Sequence, residues 1–72
     1  MNKTRLQKET GARIRAIRKG KNITILELSI SSGKATQVLQ RIETGQVNPE
    51  MYTLKEIAIG LGIKLEELLK NL

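Results

Sequence analysis

The chain has 72 residues, a net charge of +6 and one aromatic side chain, Tyr52, so its core has to be assembled from isoleucine, leucine and valine. It contains no cysteine and no histidine, which excludes disulfides, zinc knuckles and thiol chemistry and removes the commonest acid–base group and metal ligand. No apolar run approaches the ~20 residues that cross a bilayer and Met1-Asn2-Lys3-Thr4 opens no signal-peptide core; the expectation is a single cytoplasmic domain, residues 1–72, with no membrane contact and no cofactor.

The first element is a helix from about Thr4 to Lys19. Leu6, Thr10, Ile14 and Ile17 recur on one helical face, and Thr4 with Gln7 has the spacing of a capping box. Gly11 inside it costs ~1 kcal/mol relative to alanine. Lys19-Gly20-Lys21-Asn22 supplies the glycine and asparagine that suit a left-handed helix end. Residues 1–21 also concentrate the charge: Lys3, Arg5, Lys8, Arg13, Arg15, Arg18, Lys19 and Lys21 stand against Glu9 alone, whereas the remainder holds five bases and six acids. A basic third on a near-neutral body suits a polyanion, nucleic acid before an anionic membrane. The same bases equally suit the solvated face of a helix.

A second helix, about 24–31, starts at Thr24 as N-cap with Glu27 three residues on, a second capping box. Ile25, Leu26, Leu28 and Ile30 give it more apolar residues than one face can bury. They fit either tight packing in a small domain or a contact surface. Gly33 then breaks the chain before a third helix at about 35–44. With Thr36 placed at 0° and ~100° added per residue, Gln40, Thr44, Gln37 and Arg41 fall between about 40° and 140°. Val38, Ile42 and Leu39 occupy about 200° to 300°, and Glu43 borders the two sides at about 340°. The polar arc holds amide, hydroxyl and guanidinium groups and no carboxylate. Glutamine can pair with adenine, arginine with guanine, and a threonine methyl can pack on thymine. An acid-free polar arc also arises by chance on ordinary amphipathic helices.

Asn48-Pro49 marks the next helix start, since proline has no amide hydrogen to lose in a first turn. The fourth helix, about 50–61, buries Leu54, Ile57, Ala58 and Leu61 and ends at Gly60 and Gly62. A short fifth helix follows at 65–71. Nothing alternates with period two, so the expected class is all-α with five helices. Glu66 and Glu67 point to different sides of their helix, so neither an acid–base pair nor a metal cluster is evident, and no enzyme is expected.

The interval from Ile25 to small Ser29, Gly33, Leu39 and Ile42 resembles the helix-turn-helix of the phage Cro and repressor family, the Xre family. "GARIRAIRKGKNIT" is similar to that family's helix 1, "RIETGQVNP" to the segment after its recognition helix, and "LKEIAIGLGIKLEELL" to its last two helices. The resemblance covers residues 10–69 and implies a lambda repressor-like DNA-binding fold. It implies base contacts at Thr36, Gln37 and Arg41, with Gln40 joining them on the arc. Backbone contacts would fall at Thr24, Thr44 and Asn48. It further implies that Arg18 pairs with Glu43 and points its remaining hydrogens toward the DNA backbone. Three positions depart from the pattern: Ile25 replaces a glutamine that reaches DNA, Lys34 a buried aliphatic, and Ala35 a hydroxyl cap. Lys34 would lay its stem on apolar surface and send its ammonium to solvent or phosphate.

A domain of this size buries only ~60% of its unfolded surface, and Ile59, Leu65, Leu68, Leu69 and Leu72 exceed what one short domain easily covers. They either close the monomer core or form a homodimer interface, as in similar regulators that read palindromic operators. The expected function is a sequence-specific DNA-binding transcriptional regulator, a repressor-type homodimer on double-stranded DNA with no small-molecule ligand evident. The alternative is a protein-interaction module, such as an antitoxin-like partner, working through apolar helix 2 and the C-terminal leucines.

Overall fold

Local signals place the five helices, and long-range contacts decide how they meet. In the computed structural model, which describes residues 2–72, the order is α1 (Lys3–Gly20), α2 (Ile25–Ser32), α3 (Thr36–Glu43), α4 (Met51–Leu61) and α5 (Leu65–Leu69). There is no strand among the described residues.

The cap of α1 is Asn2, not Thr4: its Oδ1 accepts the Arg5 backbone N–H at 2.8 Å. Asn2 stands in the same relation to Arg5 that Thr4 has to Gln7, and it captures an orphan donor two residues earlier. The expected inward face holds at Thr10, Ile14 and Ile17, with Leu6 as its one departure. Leu6 is exposed, whereas Thr10, Gly11 and Ile14 are buried. The Thr10 hydroxyl donates to the Leu6 carbonyl at 2.8 Å, which removes the cost of burying it. Gly11 does more than interrupt a helix. A Cβ there would collide with the Ile42 carbonyl oxygen and stand 2.9 Å from that of Glu43, so the missing side chain lets α1 and α3 cross backbone to backbone.

At the end of α1, Asn22 takes a left-handed φ of 58°. Thr24 then starts α2 with a complete capping box. Its hydroxyl accepts the Glu27 N–H at 3.0 Å, while the Glu27 carboxylate accepts the Thr24 N–H at 2.8 Å. Gly33 ends α2 at φ 74°. The tight turn is closed by the Ser29 hydroxyl, which donates to the Lys34 carbonyl at 2.6 Å. Ala35 leaves the start of α3 without a side-chain cap. Pro49 lies two residues ahead of α4 rather than in its first turn, and Glu50 is the N-cap. Gly60 sits inside α4 and does not end it. A Cβ on Gly60 would press on Ser31 and Leu28, so this glycine allows the close α2–α4 approach, and Gly62 provides the left-handed stop. The helix expected to run to residue 71 ends at Leu69.

The core is wholly aliphatic: Ile14, Leu28, Leu39, Ile42, Leu54, Ile57, Ala58, Leu61 and Leu68. Each large member contributes roughly 1.5–3 kcal/mol on burial. The main pairings are α2 with α4 and α1 with α3, with α3 also against α2 and α5 against α4 and α1. Tyr52, the sole aromatic, is exposed.

Candidate nucleic-acid interface

Helix α3 projects an almost unencumbered polar face. Leu39 and Ile42 anchor it in the core, leaving Gln37, Gln40, Arg41 and Thr44 exposed and Thr36 half-buried. Thr36 and Gln37 are 3.4 Å apart through Oγ1 and Oε1. The Thr44 hydroxyl donates to the Gln40 carbonyl at 2.9 Å and accepts from the Gln46 side-chain amide at 2.9 Å. Gln46, on the loop just beyond α3, thus adds an amide to the end of the arc that helical periodicity could not assign. Val38, assigned to the apolar side on the wheel, is 41% exposed at the edge of the helix.

The only acid on α3 is turned away from this face. Glu43 is buried, and its carboxylate receives two hydrogen bonds from Arg18: Nε to Oε2 at 2.7 Å and Nη2 to Oε1 at 2.9 Å. The Arg18 Nη1 donates to the Ile23 carbonyl at 2.9 Å. Side-chain exposures of 11% for Arg18 and 5% for Glu43 make this a desolvated, bidentate pair. Hydrogen bonding to Glu43 holds the Arg18 pKa above its ordinary value, burial opposes this, and the Glu43 charge adds to the rise. The pair fixes three segments at one point: the end of α1, the chain entering α2, and the end of α3. Two guanidinium hydrogens of Arg18 remain for an outside acceptor.

A cleft beside the pair is lined by Arg15, Arg18, Ile25, Gln40, Glu43 and Thr44. Ile25 is half-buried against the core and also forms part of this wall. Thr24 is exposed at the N-terminus of α2. Asn48 is exposed at the rim of a separate groove that includes Leu6, Pro49 and Met51.

Two expected sites differ in the folded chain. The Lys34 ammonium is held by Glu56 Oε1 at 2.7 Å, an oxygen with no other polar partner, so its charge is engaged with α4 rather than free for phosphate. Leu68 is 0% exposed and belongs to the core, because α5 packs it inward against α4 and α1; it cannot line a dimer interface. Leu65 and Leu69 pack partly against the core, Leu72 is half-buried, and Ile59 is 66% exposed. Among the described residues no helix is long and apolar enough to cross a membrane.

Comparison with known proteins gives the same architecture. Residues 14–68 match the family model described as Helix-turn-helix. The chain is 35% identical over 63 residues, 88% of its length and 82% of the relative's, to the uncharacterized HTH-type transcriptional regulator y4dJ of Sinorhizobium fredii (strain NBRC 101917 / NGR234). It superposes on the restriction-modification controller protein C.AhdI from Aeromonas hydrophila with a TM-score of 0.83 at 27% identity, covering 86% of this chain and 94% of that one. It superposes on the clp gene regulator ClgR from C. glutamicum with a TM-score of 0.85 at 26% identity, covering 89% and 83%. The match over residues 14–68, together with the 35% identical relative, makes this chain a member of the Xre-like helix-turn-helix family.

Proposed function

We propose that this chain is a sequence-specific DNA-binding transcriptional regulator in which α3 enters the major groove. The observation that carries the reading is the disposition of charge on α3. Gln37, Gln40 and Arg41 are exposed together, and the helix's single carboxylate is buried on Arg18. A carboxylate on the arc would meet phosphate repulsion, whereas amide and guanidinium groups match base edges. Thr36, half-buried at the start of the helix, contributes its methyl or hydroxyl. Thr24, Thr44, Asn48 and the unused Arg18 hydrogens contact the sugar–phosphate backbone and set the register. A controller protein and a gene regulator among the solved relatives support a role in transcription, and such a role needs no catalytic group.

The regulator acts as a homodimer on a palindromic site, with two copies of α3 about one turn, ~34 Å, apart. Exposed Ile59 and the partly covered Leu65, Leu69 and Leu72 form the contact between copies. Selection of bound duplexes from a random pool tests specificity and symmetry together: one enriched motif with inverted halves is expected.

A second reading rests on Leu26 and Ile30, which are 60% and 77% exposed one turn apart on α2. They favour a protein-interaction module. Binding to random duplex with no enriched motif, together with a co-purifying protein, is its signature.

A further inference from the structure

The eight bases of the N-terminal third are not equivalent once folded. Arg18 is neutralised by Glu43, and Arg5 shares its charge with Glu9 at 3.1 Å. Arg13 is half-buried beside Asn71 and Leu72. With Gly11, the α3 crossing point, at 0°, Lys3 is exposed near about 280° on α1, away from the α3 end, and Lys21 lies beyond the helix at its C-cap. Of the exposed bases without an ion pair, Lys8, Arg15 and Lys19 share one side of α1. They lie at about 60°, 40° and 80° on the helix, a single narrow strip just beside the crossing.

Two contacts join this strip to the end of α3. Arg15 shares a cleft with Gln40 and Thr44. Gly45, the residue after Thr44, sits so close over α1 that a Cβ on it would stand 2.7 Å from Lys8 Cγ and 2.9 Å from Lys8 Cα. Its φ of 76° makes the same point, because the chain takes a left-handed turn there to pass over Lys8. The strip runs for ~16 Å from Lys8 to Lys19, and a DNA strand offers a phosphate for every ~3.4 Å of helix axis.

We propose that Lys8, Arg15 and Lys19 form a cation ladder for the phosphates of duplex DNA flanking the bases read by α3, so that the bound segment extends beyond the recognition helix along α1. This rests on α3 as the reading helix, and the ladder adds affinity and salt sensitivity without sequence information.

The test compares full-length wild type with two triple variants of equal charge, Lys8→Gln/Arg15→Gln/Lys19→Gln and Arg13→Gln/Lys64→Gln/Lys70→Gln. Glutamine is close to lysine and arginine in helix propensity, and circular dichroism melts check that both variants fold. Affinity is measured for the selected duplex and for a random duplex from about 50 to 200 mM salt. The ladder variant is expected to flatten the slope of log K against log salt by ~2–3, near 0.9 per lost phosphate contact, with the enriched motif unchanged. The control variant should flatten it by less than ~1. Equal flattening in both variants, or none in the first, overturns the ladder. If the enriched motif then persists, α3 still reads bases. A slope difference without any enriched motif supports the ladder and refutes base reading. An unchanged duplex slope with lost binding to phosphatidylserine vesicles assigns the strip to a membrane surface and also overturns the proposal.

Discussion

Arg18 and Glu43 are 25 residues apart in sequence and form two hydrogen bonds of 2.7 and 2.9 Å across the α1–α3 crossing. The pair joins stability to function, because the carboxylate that would spoil the α3 face is the one that anchors α3. Glu43→Ala leaves a guanidinium buried without its counter-charge, and removal of one partner from such a pair costs about 3–5 kcal/mol. Urea denaturation should register this as a lowered midpoint with an unchanged slope. A midpoint within error of wild type would mean that the pair contributes as little as an exposed one.

Gly11 and Gly20 predict opposite signs for the same substitution. Alanine is the better helix former by ~1 kcal/mol, yet at Gly11 its methyl would press on the carbonyls of Ile42 and Glu43. Gly11→Ala should therefore destabilise by about 1–3 kcal/mol as α1 and α3 are forced apart. At Gly20 a Cβ meets nothing within 4 Å, and Gly20→Ala should stabilise by about 0.4–1 kcal/mol. Thermal melts of the two variants should move in opposite directions, by roughly 4–8 °C for each kcal/mol.

The capping box at Thr24 carries a pH dependence. The Thr24 backbone N–H, then its side chain, hold the Glu27 carboxyl below the usual carboxylate range. A pKa lowered in the folded state stabilises above the unfolded value, about 4.3 for glutamate, and this is lost as pH falls through the folded value. The stability difference between wild type and Glu27→Ala should thus be constant near neutral pH and shrink below about pH 4, measured as paired urea midpoints.

Lys34 predicts a negative result on DNA. Its ammonium lies 2.7 Å from Glu56 Oε1, a buried oxygen with no other polar partner, so Lys34→Gln should cost about 1–3 kcal/mol of stability. It should leave the salt slope of duplex binding unchanged. A slope flattened by about 0.9 would show that DNA captures the ammonium from Glu56.

Local chemistry was legible in the sequence and tertiary pairing was not. Thr24 with Glu27, Gly33 and the inward Leu54, Ile57, Ala58 and Leu61 act within a turn or two of chain, so spacing alone locates them. The Arg18–Glu43 pair was suggested only by family resemblance, since no periodicity links positions so far apart. Asn2 is hidden as a cap because Thr4 and Gln7 offer an equally good cap pattern two residues further on. Gly11 read as a defect because its benefit lies in the Ile42 and Glu43 backbone it meets. The Glu56 partner of Lys34 and the inward place of Leu68 are illegible for a related reason: both are set by residues distant in sequence. The α3 arc is legible from Thr36 to Thr44, because a helical wheel needs only local geometry, whereas Gln46 beyond the helix is not.

That arc is the centre of the account, and Arg41 is its most direct probe. Duplex selection with wild type and Arg41→Ala side by side should recover the same motif, with preference lost at one base position per half-site and weakened there by about 1–3 kcal/mol. A uniform loss of affinity across all sequences, with the motif intact, would contradict base reading by Arg41 and reduce it to a phosphate contact.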